Sequence, residues 1–211
     1  LVAANAMSFA DAMTVVIRRA NLMQDAVPAG VGAMAAIIGL DDAGVIAACD
    51  EASSIGVAQA VNFNSPGQVV IAGHKDAVAS AIALCEAAGA RMALLLPVSV
   101  PSHSSLMIGA GEALQDALAA AKIETPTIKV LAATDGKAYT DSEDIRTRLS
   151  TQVYSPVQWV ITVNAIIEGG VSTIIECGPG KVLAGLCRRI NRGTPVAVVD
   201  TCDSLQKSLL A

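Results

Sequence analysis

The sequence predicts an α/β fold in two parts, with a compact β-α-β-β-α-β unit set inside a longer alternation of strands and helices. Two observations on composition favour this class. First, apolar residues make up 53% of the 211 residues but aromatic residues only 2%, so the core must be built from Ala, Val, Ile and Leu. Second, the chain contains 17 glycines. Such a composition suits strands covered by alanine-rich helices. The third observation is that strand and helix periodicities alternate along the chain.

The first half of the chain contains the compact unit. Residues 9–26 have helical spacing, and Pro28-Ala29-Gly30 ends this helix. We expect its core-facing stripe to be Phe9, Met13, Val16, Ile17 and Ala20. The unit then runs as strand, helix, a two-strand hairpin around Ser65-Pro66-Gly67, helix and strand, at residues 32–38, 41–53, 58–64, 68–73, 75–88 and 91–97. This is the ferredoxin-like order, and residues 31–97 are expected to form a small domain.

The second half repeats the alternation on a larger scale. It predicts a helix, a strand, two helices, a strand, a helix and a strand, at residues 105–121, 128–133, 141–151, 157–168, 173–180, 180–191 and 195–200. Strands that alternate with helices predict a parallel sheet covered on both faces. Residues 1–30 and 98–211 are therefore expected to belong to one larger domain.

Charge and composition exclude several classes of function. A net charge of -5 argues against non-specific nucleic-acid binding, which needs a basic face. No apolar run approaches the about 18 residues of a membrane helix. Five scattered cysteines without a CxxC pair indicate reduced thiols in a cytoplasm, and neither histidine has a ligand-type residue three or four positions later, so no metal is expected. The chain begins with Leu1 and without signal-peptide features, which indicates a missing upstream segment.

Three features could carry chemistry. In "PVSVPSHSSLM" (97–107), His103 follows an apolar strand at the end where α/β sheets place ligands, although a structural histidine is the alternative. His74 in "AGHKD" is interpreted as a surface or capping residue. Arg19 lies near the expected buried stripe, and a partly buried guanidinium needs an anion, from either a protein carboxylate or a substrate. "ECGPGKVL" resembles an anion-binding helix start, but it lacks both nucleotide-binding fingerprints.

Five longer motifs carry a family resemblance. They are "RRANLMQDAVPAGVGAMAAIIGL", "VNFNSPGQVVIAGHKDAV", "LLPVSVPSHSSLM", "YSPVQW" and "ECGPGKVLAGLCRRI". Together they resemble the bacterial malonyl-CoA:acyl carrier protein transacylase family, in order and nearly without gaps, from residue 1 to about residue 192. The resemblance implies an α/β-hydrolase-like larger domain with an inserted ferredoxin-like small domain.

The resemblance also implies roles for single residues. His103 would take the proton of a serine that malonyl-CoA acylates, and a main-chain carbonyl near Gln152 would orient it. Arg19 would hold the malonyl carboxylate, and Met23, Asn62 and Asn64 would bind substrate. The family implies malonyl-CoA and acyl carrier protein as partners, no cofactor, and a monomer when complete. Docking of an acidic carrier protein is expected at Lys181, Arg188 and Arg189, with Arg192 nearby; a helix end enriched in cations by its dipole is the alternative.

One departure from the family pattern concerns the nucleophile. Neither the GHSxG-type elbow nor the GQGxQ-like loop of the family occurs in residues 1–211, so the chain is expected to match roughly the C-terminal two thirds and to be inactive alone. Two other functions stay open: an acyltransferase of a polyketide pathway, and a non-enzymatic ferredoxin-like ligand-binding module. The second predicts that Arg19 and His103 lie far apart.

Overall fold

In the part of the chain that the structure describes, one antiparallel sheet has four strands and one parallel sheet has two. The computed structural model describes residues 1–98 and 100–209. Its helices and strands, in chain order, are α1 (Phe9–Ala26), β1 (Gly32–Ile38), α2 (Asp42–Ala52), β2 (Ala58–Ser65), β3 (Gln68–His74), α3 (Lys75–Ala87), β4 (Met92–Leu95), α4 (Ile108–Ala120), α5 (Ser142–Gln152), α6 (Trp159–Glu168), β5 (Ile174–Cys177), α7 (Val182–Ile190), β6 (Val196–Val199) and α8 (Cys202–Leu209).

The first sheet has the element order that the sequence predicts. Its strands lie in the order β2-β3-β1-β4 and every neighbouring pair is antiparallel. The sheet and helices α2 and α3 bury one apolar cluster, which includes Ile37, Val45, Ile71 and Val78. Gly67 turns the β2–β3 hairpin with φ 70°, a left-handed conformation that glycine adopts without steric cost. The predicted hairpin is therefore confirmed.

Helix α1 packs in a different orientation from the expected one. The residues that were expected to face the core, Phe9, Met13, Val16, Ile17 and Ala20, are all exposed, and Phe9 is 70% exposed. The opposite face is apolar too, and Val15 and Met23 on that face pack with Leu114 and Leu118 of α4. Arg19 is spaced four residues from each of Val15 and Met23, so it lies on the face that contacts the core.

The second half contains a smaller sheet than expected. Strands β5 and β6 pair in parallel, but the predicted strand at residues 128–133 is wrong: Leu131 makes only an isolated bridge to Ala138. The chain folds back on itself there, because the N–H of Ala132 donates to Lys137 O and the N–H of Gly136 donates to Ala132 O. Helix α8 was not predicted. In the described part of the chain, no helix has the length and apolar character needed to cross a membrane.

Candidate active site

The His103 loop lies between β4 and a 3-10 turn that leads into α4. His103 has a left-handed backbone with φ 65°, a conformation that non-glycine residues adopt rarely. Its N–H donates to Val153 O at 3.1 Å, and its Nδ1 lies 2.8 Å from Gln152 O. Since a carbonyl oxygen only accepts, Nδ1 carries the proton and donates. The neutral ring therefore keeps Nε2 as its basic nitrogen.

The two carbonyls come from the C-terminal end of helix α5, which ends at Gln152. The last four carbonyls of a helix have no partner within the helix, so they are free to accept from His103. The same end of the helix carries the negative pole of its dipole, which favours a positive charge on the imidazole during proton transfer. The loop therefore has a built-in orienting group that is part of the main chain.

Burial is the main influence on the ionisation of His103. It lowers the pKa of the imidazole below 6.5, and the positive charge of Arg19 lowers it further, while backbone hydrogen bonds with Gln152 and Ser155 oppose the shift. Burial also lowers the pKa of Arg19. A guanidinium nevertheless stays charged, so at neutral pH the site pairs a neutral imidazole with a cation.

One cavity joins the three central site residues. It has a volume of about 510 Å³, and His103, Arg19 and Gln152 line it together. Its other walls are apolar: Leu1, Val2, Met7, Ala12, Val15, Val16, Leu114, Leu149 and Val157. The shared cavity argues against the non-enzymatic module, which predicted that Arg19 and His103 lie far apart.

Arg19 has no ion pair within the described residues. The ion pairs there join Lys122 to Glu124 and Arg148 to Asp135 and Asp144, and no side-chain hydrogen bond of Arg19 is formed with residues 1–98 or 100–209. Of the two anions considered for this guanidinium, a protein carboxylate is therefore not observed in this part of the chain. The positive charge is free to hold an anion inside the cavity.

The cavity wall contains no nucleophile among the described residues. None of its lining side chains is Ser, Thr or Cys. Of the serines beside His103, Ser104 is buried and its hydroxyl donates to Pro101 O at 2.7 Å, and the Ser102 hydroxyl contacts Val100 O at 3.5 Å. The arrangement therefore presents a base and a cation without the group that the base would activate.

Three expected substrate-binding residues lie outside this cavity. Met23 is 6% exposed and belongs to the core beneath α1. Asn62 and Asn64 are half-buried on β2. Asn62 pairs with Val157, a cavity-lining residue, so it lies next to the wall without forming part of it.

The expected docking residues lie on α7 or next to it. All three are exposed: Lys181 directly precedes the helix, and Arg188 and Arg189 are in its last turn. Arg188 donates to Val196 O at 2.9 Å, and Arg189 donates to the Gln68 side chain at 2.6 Å. The spacing of Lys181, Arg188 and Arg192 in sequence also predicts one shared helix face, and this prediction is wrong, because α7 ends at Ile190 and Arg192 lies beyond it.

Two polar contacts were not predicted from the sequence. Glu176 of β5 accepts from the N–H groups of Leu183 (3.1 Å) and Ala184 (2.8 Å), so the chain's own carboxylate occupies the anion-binding start of α7. His74 lies at the N-cap of α3, but its Nδ1 accepts from the N–H of Val57. The sequence does contain one indication of the Glu176 contact, which is the acidic residue four positions before "GKVL".

The chain has a mixed α/β fold, and its cavity places an imidazole and a guanidinium together. Residues 1–207 match the acyl transferase domain model, and the chain belongs to that family. It is 53% identical over 190 residues to the malonyl CoA-acyl carrier protein transacylase of Escherichia coli K12. The aligned residues cover 90% of this chain and 62% of that protein. The chain thus spans about three fifths of that relative's length.

Solved structures show the same fold. The acyl carrier protein S-malonyltransferase of Vibrio cholerae superposes with a TM-score of 0.96 at 48% identity, over 99% of this chain and 68% of that one. A malonyl-transacylase in complex with a type II polyketide synthase acyl-carrier protein superposes with a TM-score of 0.98 at 45% identity, over 100% of this chain and 68% of that one. The resemblance predicted from the motifs is confirmed.

Proposed function

We propose that the complete protein containing this chain transfers malonyl from malonyl-CoA to the phosphopantetheine thiol of an acyl carrier protein. One observation carries the proposal: a guanidinium without an ion pair among the described residues and an imidazole whose Nδ1 is held by Gln152 O line the same cavity. The names of the similar proteins supply the acyl group and the carrier.

The reaction would proceed in two matched halves. Nε2 of His103 takes the proton of a serine hydroxyl as the serine oxygen attacks the malonyl thioester, and the imidazolium returns that proton to the departing coenzyme A sulfur. In the second half Nε2 takes the proton of the carrier thiol, the thiolate sulfur attacks the serine ester, and the serine oxygen recovers the proton. The Gln152 carbonyl holds Nδ1–H throughout. No resident cofactor is needed.

Arg19 would select malonyl. A guanidinium binds a carboxylate through two parallel hydrogen bonds, and malonyl has such a carboxylate at its distal end. An acetyl group would leave the half-buried charge unpaired, which is costly. We also propose that Asn62, Asn64 and Met23 do not contact the substrate directly. They would affect its binding only by supporting the residues that line the cavity.

The serine would come from a segment outside these 211 residues. Leu1 and Val2 line the cavity, so chain preceding Leu1 would enter beside His103. The exposed apolar stripe of α1 and the half-exposed pair β5–β6 also support a larger domain than the one described, because parallel strands are normally covered on both faces.

On this basis we propose the following domain division. Residues 31–97 form an inserted ferredoxin-like domain, supported by the order β2-β3-β1-β4 with two helices. Residues 1–30 and 98–211 form part of an α/β-hydrolase-like domain. We propose that the complete protein is a monomer in the cytoplasm. The five free cysteines support the cytoplasmic location, because thiols stay reduced there.

The carrier protein is proposed to dock on α7 through Lys181, Arg188 and Arg189. Arg188 and Arg189 each use one described donor within the chain, so most donors of both remain available to an acidic partner. A carrier of a polyketide pathway is the second candidate, favoured by the similar transacylase that was solved with such a carrier. Transfer of labelled malonyl to carrier with phosphopantetheine, and not to carrier without it, tests the proposed function. No transfer by the complete protein would refute it.

A further inference from the structure

A side chain of the four-stranded sheet accepts a hydrogen bond from the main chain just after His103. Ser105, which begins the 3-10 turn Ser105–Met107, donates its N–H to Gln59 Oε1 of β2 at 2.7 Å, across 46 positions of sequence. The first N–H groups of a helical turn need an acceptor, which usually is the N-cap side chain. Here the side chain of the N-cap residue Ser104 makes no cap hydrogen bond, and its hydroxyl points to Pro101 O, to which it donates. Gln59 takes that place.

Strand β2 also supports the opposite side of the loop. The N–H of Val157 donates to Val61 O at 2.8 Å, and the N–H of Phe63 donates to Val157 O at 2.9 Å. Val157 follows closely after Gln152 and Val153, whose carbonyls accept from the His103 ring and main chain. One strand thus holds both the residue two positions after His103 and the segment that orients its imidazole.

We propose that Gln59 is a positioning residue for His103, an inference that rests on the proposed function. The left-handed backbone of His103 persists only where its surroundings enforce it. Without an acceptor for the Ser105 N–H, the loop can relax towards ordinary backbone angles. The imidazole then moves away from Gln152 O, and Nε2 loses its fixed place in the cavity. Gln59 itself does not line the cavity and is exposed, so it acts through the loop and not on substrate.

Two substitutions of Gln59 in the complete protein test this role. Gln59→Met keeps the length of the side chain but removes the acceptor, and Gln59→Glu keeps an acceptor. Gln24→Met is the matched control, because Gln24 is exposed on α1 and makes no side-chain hydrogen bond with the described residues. Should Gln59→Met fail to fold, Gln59→Leu replaces it. The measurements are kcat and KM for malonyl-CoA, and the ring tautomer of His103 by ¹⁵N NMR, assigned with His103→Gln.

We expect Gln59→Met to lower kcat by about tenfold with KM changed less than about twofold, since only the placement of the base is lost. The Nδ1–H tautomer should lose its predominance, and Gln59→Glu should recover both readouts. An unchanged tautomer in Gln59→Met, or a Gln59→Glu variant as impaired as Gln59→Met, overturns the inference. The NMR readout requires no turnover, so failure of the proposed function and failure of this inference are told apart.

Discussion

Nδ1 of His103 lies 2.8 Å from the carbonyl oxygen of Gln152, so a main-chain group and not a carboxylate orients the imidazole. A side-chain substitution cannot remove this acceptor. We expect Gln152→Ala to keep the rate of acylation by malonyl-CoA within about threefold, whereas His103→Gln should lower it by about 10²–10⁴-fold, the usual contribution of general base catalysis. Stopped-flow acylation of the complete protein provides the comparison. A loss in Gln152→Ala as large as in His103→Gln would show that the amide side chain takes part.

The lowered pKa of His103 sets the acid limb of activity. The base must be neutral, so kcat/KM should fall with decreasing pH at an apparent pKa below 6.5. An Arg19→Ala variant should move that value upwards, because the nearby positive charge is removed. The pH profile of kcat/KM for both proteins measures the shift in the apparent pKa. If the apparent pKa falls or does not change in Arg19→Ala, the charge of Arg19 does not lower the pKa of His103.

The same pKa predicts how stability depends on pH. The folded-state pKa of His103 is lowered relative to 6.5, so below pH 6.5 the unfolded chain binds more protons than the folded one. The stabilising contribution is full above pH 6.5 and is lost as the pH falls through the folded-state pKa. Urea unfolding of the wild-type protein should show this decline, and His103→Gln should lack it. Parallel curves for the two proteins would contradict the assignment.

Arg19 should control the choice of acyl group. Arg19→Ala should weaken malonyl transfer far more than acetyl transfer, because only malonyl loses a charge-assisted contact of roughly 2–4 kcal/mol. Comparing kcat/KM for malonyl-CoA and acetyl-CoA in both proteins gives the ratio directly. Arg18→Ala is the control, since Arg18 is exposed and absent from the cavity lining. Equal losses for both acyl groups would make Arg19 a structural residue.

Reversing charge on α7 should affect only the second half-reaction. The double variant Arg188→Glu and Arg189→Glu should raise KM for the carrier protein and leave acylation by malonyl-CoA nearly unchanged. Lys122→Glu with Lys129→Glu makes the same change in net charge at exposed positions outside α7. If the control pair raises KM equally, or if the α7 pair slows both half-reactions, the carrier docks elsewhere.

Local patterns predicted the fold best where the partners of a residue lie nearby in sequence. The hairpin around Gly67 and the strands of the first sheet follow from short-range periodicity and turn chemistry. The packing of α1 did not, because both faces of that helix are apolar and only the position of α4 decides which one is buried. The expected strand at residues 128–133 failed for a related reason: a run with strand-like composition forms a strand only when a partner strand is available.

His103 and Arg19 could be predicted from the sequence, but the hydrogen bonds around them and the position of Met23, Asn62 and Asn64 outside the cavity could not. His103 and Arg19 stood out as a lone histidine after a strand and an arginine on an apolar helix. The bond between Ser105 and Gln59 joins residues 46 positions apart, and no local pattern indicates it. The contact between the Glu176 carboxylate and the first N–H groups of α7 was not predicted. It forms only because the glycine-containing turn between β5 and α7 returns the start of the helix to Glu176.

The measurement that tests the central claim most directly is the intact mass of the protein after exposure to malonyl-CoA. The complete protein should gain one malonyl group on a serine outside residues 1–211. The isolated 211-residue chain should gain none, because its cavity presents a base and a cation but, among the described residues, no nucleophile. A stable malonyl adduct on the isolated chain, or none on the complete protein, would contradict the account.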